Sequence, residues 1–132
     1  MRNFSIVSAF LAAFLVSAVA FAASTKVVAN FIAQESSGVS GQATLNATGQ
    51  GDMIIVHGSI KGLEPNTVYV SQYFTDGTCT AAPGTQVTSF RSTPKGTAEF
   101  NVRINADLAN IKSLSIQLGS DMSLKACAAV TQ

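Results

Sequence analysis

Hydrophobic and polar residues alternate along most of this chain. Val39, Gly41, Ala43, Leu45 and Ala47 are interleaved with Ser40, Gln42, Thr44 and Asn46, and Ala98, Phe100, Val102 and Ile104 with Thr97, Glu99, Asn101 and Arg103. A period of two puts one set on a buried sheet face and the other in water, so each run predicts a half-buried strand. Five more runs read the same way: Lys26 to Ile32, Met53 to Ile60, Val68 to Phe74, Ser113 to Leu118 and Ala126 to Val130. Between them lie Ser36-Ser37-Gly38, Gly49-Gln50-Gly51-Asp52, Glu64-Pro65-Asn66, Asp76-Gly77 and Thr93-Pro94-Lys95-Gly96, whose residues suit turns. Asn105 to Ile111 reads instead as a helical turn, with an Asn/Asp start and Ala-rich spacing. About eight short strands at this spacing predict an all-β, antiparallel sandwich or flattened barrel.

The first residues follow a different pattern. Arg2 precedes an almost unbroken apolar and small-residue run from Phe4 to Phe21, and Ala20-Phe21-Ala22 has the A-x-A form of a cleavage site. This predicts a signal peptide over residues 1–22, cleaved after Ala22, and hence a periplasmic or extracellular protein. The competing reading is an uncleaved anchor, since the run approaches the roughly 20 residues that span a bilayer; the small residues and the A-x-A site favour cleavage, leaving no stable membrane insertion. No cysteine follows the run, so a lipoprotein signal is absent.

Removing residues 1–22 from the 132 leaves 110, enough for a single domain, 23–132, with a modest core. Of eight Lys and Arg, only Arg2 is in the leader, so the remaining basic residues balance the seven Asp and Glu. A balanced chain lacks the positive field expected of a nucleic-acid or anionic-membrane binder. Cys79 and Cys127 are the only cysteines. An even number in an oxidising compartment predicts one disulfide, worth roughly 3–4 kcal/mol by the chain-entropy model. A free thiol or a two-thiolate metal site is the alternative, but neither cysteine has a C-x-x-C partner or a nearby histidine.

Several separated segments resemble the copper-zinc superoxide dismutase family. Gly58-Ser59-Ile60-Lys61-Gly62-Leu63-Glu64-Pro65-Asn66 is similar to its G-x-I-x-G-L-x-P-G-like turn, Cys79 to Gly84 to its C-x-S-A-G-P segment, Gly96-Thr97-Ala98 to a later G-x-A, and Lys125 to Val130 to its L-A-C-G-V-I strand. Lys26-Val27-Val28 looks like the first strand, and Gly38 to Leu45 resembles the V-x-G-x-x-x-L second strand. The ordered set covers nearly all of residues 23–132. The resemblance implies a Greek-key barrel and independently implies a Cys79–Cys127 pair.

It does not extend to the metal centre. The family holds copper with four histidines, and zinc with three histidines, one of them shared, and an aspartate. This chain has one histidine, His57, at a position that is not a ligand in the family. Ser71 and Tyr73 stand at the H-x-H positions, Thr85 near the bridging histidine, Leu118 near the late copper histidine and Leu124 at the substrate-steering arginine; only Gln86 to Lys95 remains of the histidine-bearing loop. Hydroxyls, a phenol and an aliphatic chain do not replace imidazole toward copper or zinc. The expectation is a domain with no cofactor and no dismutase activity. The alternatives are a metalloenzyme with unrecognised ligands and a copper-handling accessory using Met53, His57 and Met122.

No other chemistry is indicated. Ser71 has no plausible base nearby, and the carboxylates of Glu35, Asp52, Glu64, Asp76, Asp107 and Asp121 are scattered singly. What remains is a binding surface for a protein or small molecule. The face bearing Tyr69, Ser71 and Tyr73, completed by the loops 74–78 and 80–89, is the candidate, since aromatic hydroxyls combine contact area with a polar handle. Such domains also raise the possibility of a homodimer. Asn46-Ala47-Thr48 fits the N-glycosylation pattern and is read as a chance match.

Overall fold

The computed structural model describes residues 25–49 and 52–132; the leader expected at 1–22 lies outside them. The strands are β1 (Thr25–Ala33), β2 (Ser40–Ala47), β3 (Met53–Lys61), β4 (Val68–Phe74), β5 (Thr85–Arg91), β6 (Ala98–Asn105), β7 (Ser113–Leu118) and β8 (Leu124–Ala129). Alternation explains them: along β3, Ile54, Val56 and Ile60 point into the core while His57, Ser59 and Lys61 face water.

All pairings are antiparallel, and the sheet runs in the order β5-β4-β7-β8-β1-β2-β3-β6. β6 returns beside β3 and β7 beside β4, so the path crosses over in Greek-key fashion. The two outermost strands meet without a ladder, and Phe90 of β5 stacks on Phe100 of β6 with ring centroids 5.3 Å apart. The chain is thus the all-β, nearly closed flattened barrel that its alternation predicts. Among the described residues no helix is long and apolar enough to cross a membrane.

Two of the connections seal the core. At one end Leu63 and Val39 are buried, and the Leu63 N–H donates to the Gly96 carbonyl at 2.9 Å. Gly62, with φ of 76°, passes so close to the Gly38 carbonyl that a side chain there would overlap it. Ile111, fully buried, packs into the core from the β6–β7 connection at the other end. The helical turn expected over Asn105 to Ile111 is a 3-10 turn at Leu108–Asn110, started by the Asp107 carboxylate accepting from the Ala109 N–H at 3.0 Å.

β5 does not show as a strand in the sequence. Ser71 pairs with Thr88 and Gln72 with Gln86, which leaves Val87 as an extra residue in a bulge. Val87 and Phe90, three positions apart, then both pack on the core, and the period of two is lost. The last strand starts earlier than the alternation suggests, because Leu124 pairs with Gln117 across a register shift between Ile116 and Gln117.

Candidate functional site

The four positions matching the resemblance's metal ligands lie on adjacent strands. Tyr73 of β4 pairs with Thr85 of β5, and Leu118 of β7 pairs with Tyr69, two residues before Ser71. The sheet places Ser71, Tyr73, Thr85 and Leu118 on three adjacent strands, with Thr85 beside Tyr73 and Leu118 beside Tyr69, four positions apart along β4. It turns most of them inward: Ser71 is fully buried, Tyr73 and Leu118 pack against the core, and only Thr85 is exposed.

The Tyr69, Ser71 and Tyr73 face is consequently not an outer surface, which corrects the expectation of a binding face there. Tyr69 is 2% exposed, with Leu118 and Leu114 lying across the ladder from Tyr69 and Tyr73. The segment Val68 to Phe74 is ambiguous in sequence because both of its alternating sets contain large apolar residues. The other set is also partly covered, since Phe74 is buried beside the disulfide.

Each inward residue has a structural use except one atom. The Tyr69 hydroxyl accepts the Glu64 N–H at 2.9 Å, tying β4 to the loop that precedes it. Its ring stacks on Phe90 at 6.0 Å, and Phe90 in turn on Phe100, so three aromatic rings span the seam between β4, β5 and β6. The Ser71 Oγ is buried with no hydrogen-bond partner. No base approaches it, because His57 lies on the outer face of β3 between Thr44 and Asn101.

On the opposite side of β4, the long β4–β5 loop is held to β8 by the expected Cys79–Cys127 disulfide, with Cα atoms 6.1 Å apart. Leu124, at the position of the resemblance's arginine, packs with Phe74 against that disulfide. The buried Ser113 hydroxyl accepts the Cys79 N–H at 3.1 Å and donates to the Asp76 carbonyl at 2.6 Å. The Asp76 carboxylate accepts from the Thr78 and Thr80 hydroxyls, both at 2.7 Å, and from the Ala81 N–H at 3.0 Å. These donors, with the Thr78 hydroxyl foremost, hold its carboxyl well below the usual carboxylate range. The spacing Asp76-x-Thr78-x-Thr80 is an Asx-turn signal that could have been read from the sequence.

Ser115 has a similar structural use. The β4–β7 ladder is interrupted between Val70 and Tyr73, and there the Gln72 N–H donates to the Ser115 hydroxyl at 3.1 Å. Ser92, also buried, accepts the Thr67 N–H at 2.9 Å and donates to the Glu64 carbonyl, fastening the β3–β4 loop. Nothing in the alternation marks these serines, since a small hydroxyl is compatible with either face.

The residues of the copper-handling reading are dispersed. Met53 and His57 are four positions apart on β3, which separates their Cα atoms by about 13 Å. Met122 is in the β7–β8 connection. Among the described residues no three His, Cys, Asp or Glu side chains gather where they could hold a metal ion.

A shallow concavity of about 580 Å³ lies elsewhere, on the outside of β2, β3 and β6, where Gln42, Ser59, Lys61, Thr93, Thr97 and Glu99 line it. No family model and no curated protein matches this sequence.

Proposed function

We propose that this chain is an exported, non-catalytic domain built like a copper-zinc superoxide dismutase, and that it serves as a binding or structural module. One observation carries the reading: at the positions matching the family's ligands, Ser71, Tyr73 and Leu118 help build the barrel wall. Their oxygen and carbon side chains do not suit copper or zinc, which take imidazole and thiolate at convergent positions. Redox cycling of superoxide needs such a metal, and no step through one can be written with these residues.

The Greek-key strand order and the disulfide between the β4–β5 loop and β8 support the architectural part of the proposal. The disulfide also supports export, because such bonds persist mainly in oxidising compartments. Interaction must then use outward-facing residues rather than the Tyr69, Ser71 and Tyr73 face.

The test is elemental analysis of the protein recovered from the exported fraction, followed by superoxide consumption with excess Cu(II) and Zn(II). Background metal and a rate no greater than that of the chelated ions are expected. Stoichiometric metal or a clear excess rate would overturn the proposal.

A further inference from the structure

The two outer sides of the barrel differ. Over β8 the β4–β5 loop is bonded through Cys79 to Cys127, and Phe74 and Leu124 pack beside that bond. On the β1-β2-β3-β6 side, Asn30, His57, Ser59 and Asn101 stand exposed. Continuous register lays the outward side chains of these four strands in straight rows. One row is Asn30-Gln42-Ser59-Glu99, in which the Gln42 amide donates to Asn30 Oδ1 at 2.9 Å. The next is Val28-Thr44-His57-Asn101, and a third begins at Lys26 and ends at Arg103.

Charge is divided by position. Glu99 is the one carboxylate on any strand, the other six lying in connections, whereas Lys26, Lys61 and Arg103 all project from this face. A chain with balanced charge thus has a side with three cations against one anion. Lys26 and Arg103 are three strand spacings apart, about 14 Å, and Lys61 lies about 20 Å along β3 from their row. At the Lys61 end the face dips into the concavity of about 580 Å³, which Glu99 also lines. The Thr93 and Thr97 hydroxyls, bonded to each other at 2.8 Å, belong to its wall.

We propose that this face binds an acidic polysaccharide, a chain of sugars bearing carboxylates, with Lys61 and Arg103 on its acid groups. The proposal rests on the reading of the chain as a non-catalytic binding module. Cations this far apart suit a polymer with sparse charge, not a nucleic acid, whose duplex carries a charge about every 1.7 Å. Glu99 only accepts hydrogen bonds, so its partner must donate, as sugar hydroxyls do and a polyphosphate does not. An anionic bilayer would be met by apolar side chains, and these rows hold only Val28 and Ile55. With no aromatic residue in the rows to stack on a ring, each sugar is held weakly and affinity accumulates along the polymer.

The experiment is calorimetric titration of the metal-free protein, in chelator, with polyuronate fragments of graded length. Affinity should rise with length and fall with salt, and neutral dextran of equal length should bind at least tenfold more weakly. Lys61→Gln with Arg103→Gln should weaken binding at least tenfold, while the same charge change at Arg91 and Lys112, away from this face, should alter it less than twofold. No binding of polyuronate, equal losses in the two double variants, or tighter binding of inorganic polyphosphate, single-stranded DNA or anionic vesicles would overturn the proposal. Because metal is removed throughout, such a failure is separate from the metal content and superoxide assays that test the non-catalytic reading.

Discussion

The outer end of the Phe100 ring on β6 occupies the space beside Gly58, its register partner on β3, where a side chain would otherwise stand. A Cβ at Gly58 would overlap the ring, and the ring cannot swing aside because Phe90 stacks on it at 5.3 Å. Gly58→Ala should therefore destabilise the fold by about 1–3 kcal/mol, the usual range for overpacking a closed core. Urea denaturation measures this, and pairing the change with Phe100→Leu should recover part of the loss. An additive double variant would refute the steric account.

Ser71 gives the opposite expectation. Its buried hydroxyl has no partner, so removing it abolishes a desolvated group without breaking a bond. Ser71→Ala should be neutral or stabilising, by up to about 1 kcal/mol. Ser115→Ala should instead cost about 1–3 kcal/mol, because it strands the Gln72 N–H in the broken ladder. Equal losses at the two serines would show that Ser71 has a partner after all.

Where alternation is uninterrupted, as in Ile54, Val56 and Ile60 or Leu114 and Ile116, strand and facing were readable from the residues. Two things hid the rest. The bulge at Val87 erased the period of two in β5, and the mixed set Val68, Tyr69, Val70 and Tyr73 gave no sign of which face is interior. The candidate binding face failed for this second reason: a tyrosine hydroxyl suggests a residue facing water, yet Tyr69 finds its partner in the local Glu64 N–H while its ring is buried. The cysteines, by contrast, are constrained by number, since two of them leave one possible pair, and the structure joins Cys79 to Cys127.

The Asp76 carboxylate should make the β4–β5 loop sensitive to acid. Its folded pKa lies below the unfolded value, so its contribution is fully present above an ordinary carboxylate pKa near 4 and is lost as pH falls toward the folded value. The expected outcome is that the Cys79–Cys127 bond of Asp76→Asn is reduced faster than wild type near neutral pH by a phosphine, which needs no thiolate and so also works in acid, with the two rates converging as the pH falls below about 4. Asp121 is also lowered, chiefly by the Ser123 N–H, but it is shared by both proteins and cancels. A rate difference that persists unchanged at low pH would refute the account.

Replacing both Cys79 and Cys127 with alanine should lower stability by roughly 3–4 kcal/mol, since the bond closes a span of 48 residues in the unfolded chain. The loss should appear in the urea midpoint. Wild type treated with reductant should fall to about the level of the double variant, and a reduced wild type as stable as the oxidised form would contradict the role given to the bond.

Tyr69 separates a wall from a binding face most directly. Tyr69→Phe keeps the stack on Phe90 but removes the acceptor of the Glu64 N–H, leaving that donor without its partner. The cost should be about 1–2 kcal/mol. Because the turn 62–67 is also held by Ser92, which accepts the Thr67 N–H and donates to the Glu64 carbonyl, the loss should couple to Ser92→Ala. A double-mutant cycle with an interaction term of 0.5 kcal/mol or more is expected for groups sharing one network. Were Tyr69 instead an exposed contact residue, Tyr69→Phe would leave the urea midpoint unchanged and the two substitutions would add.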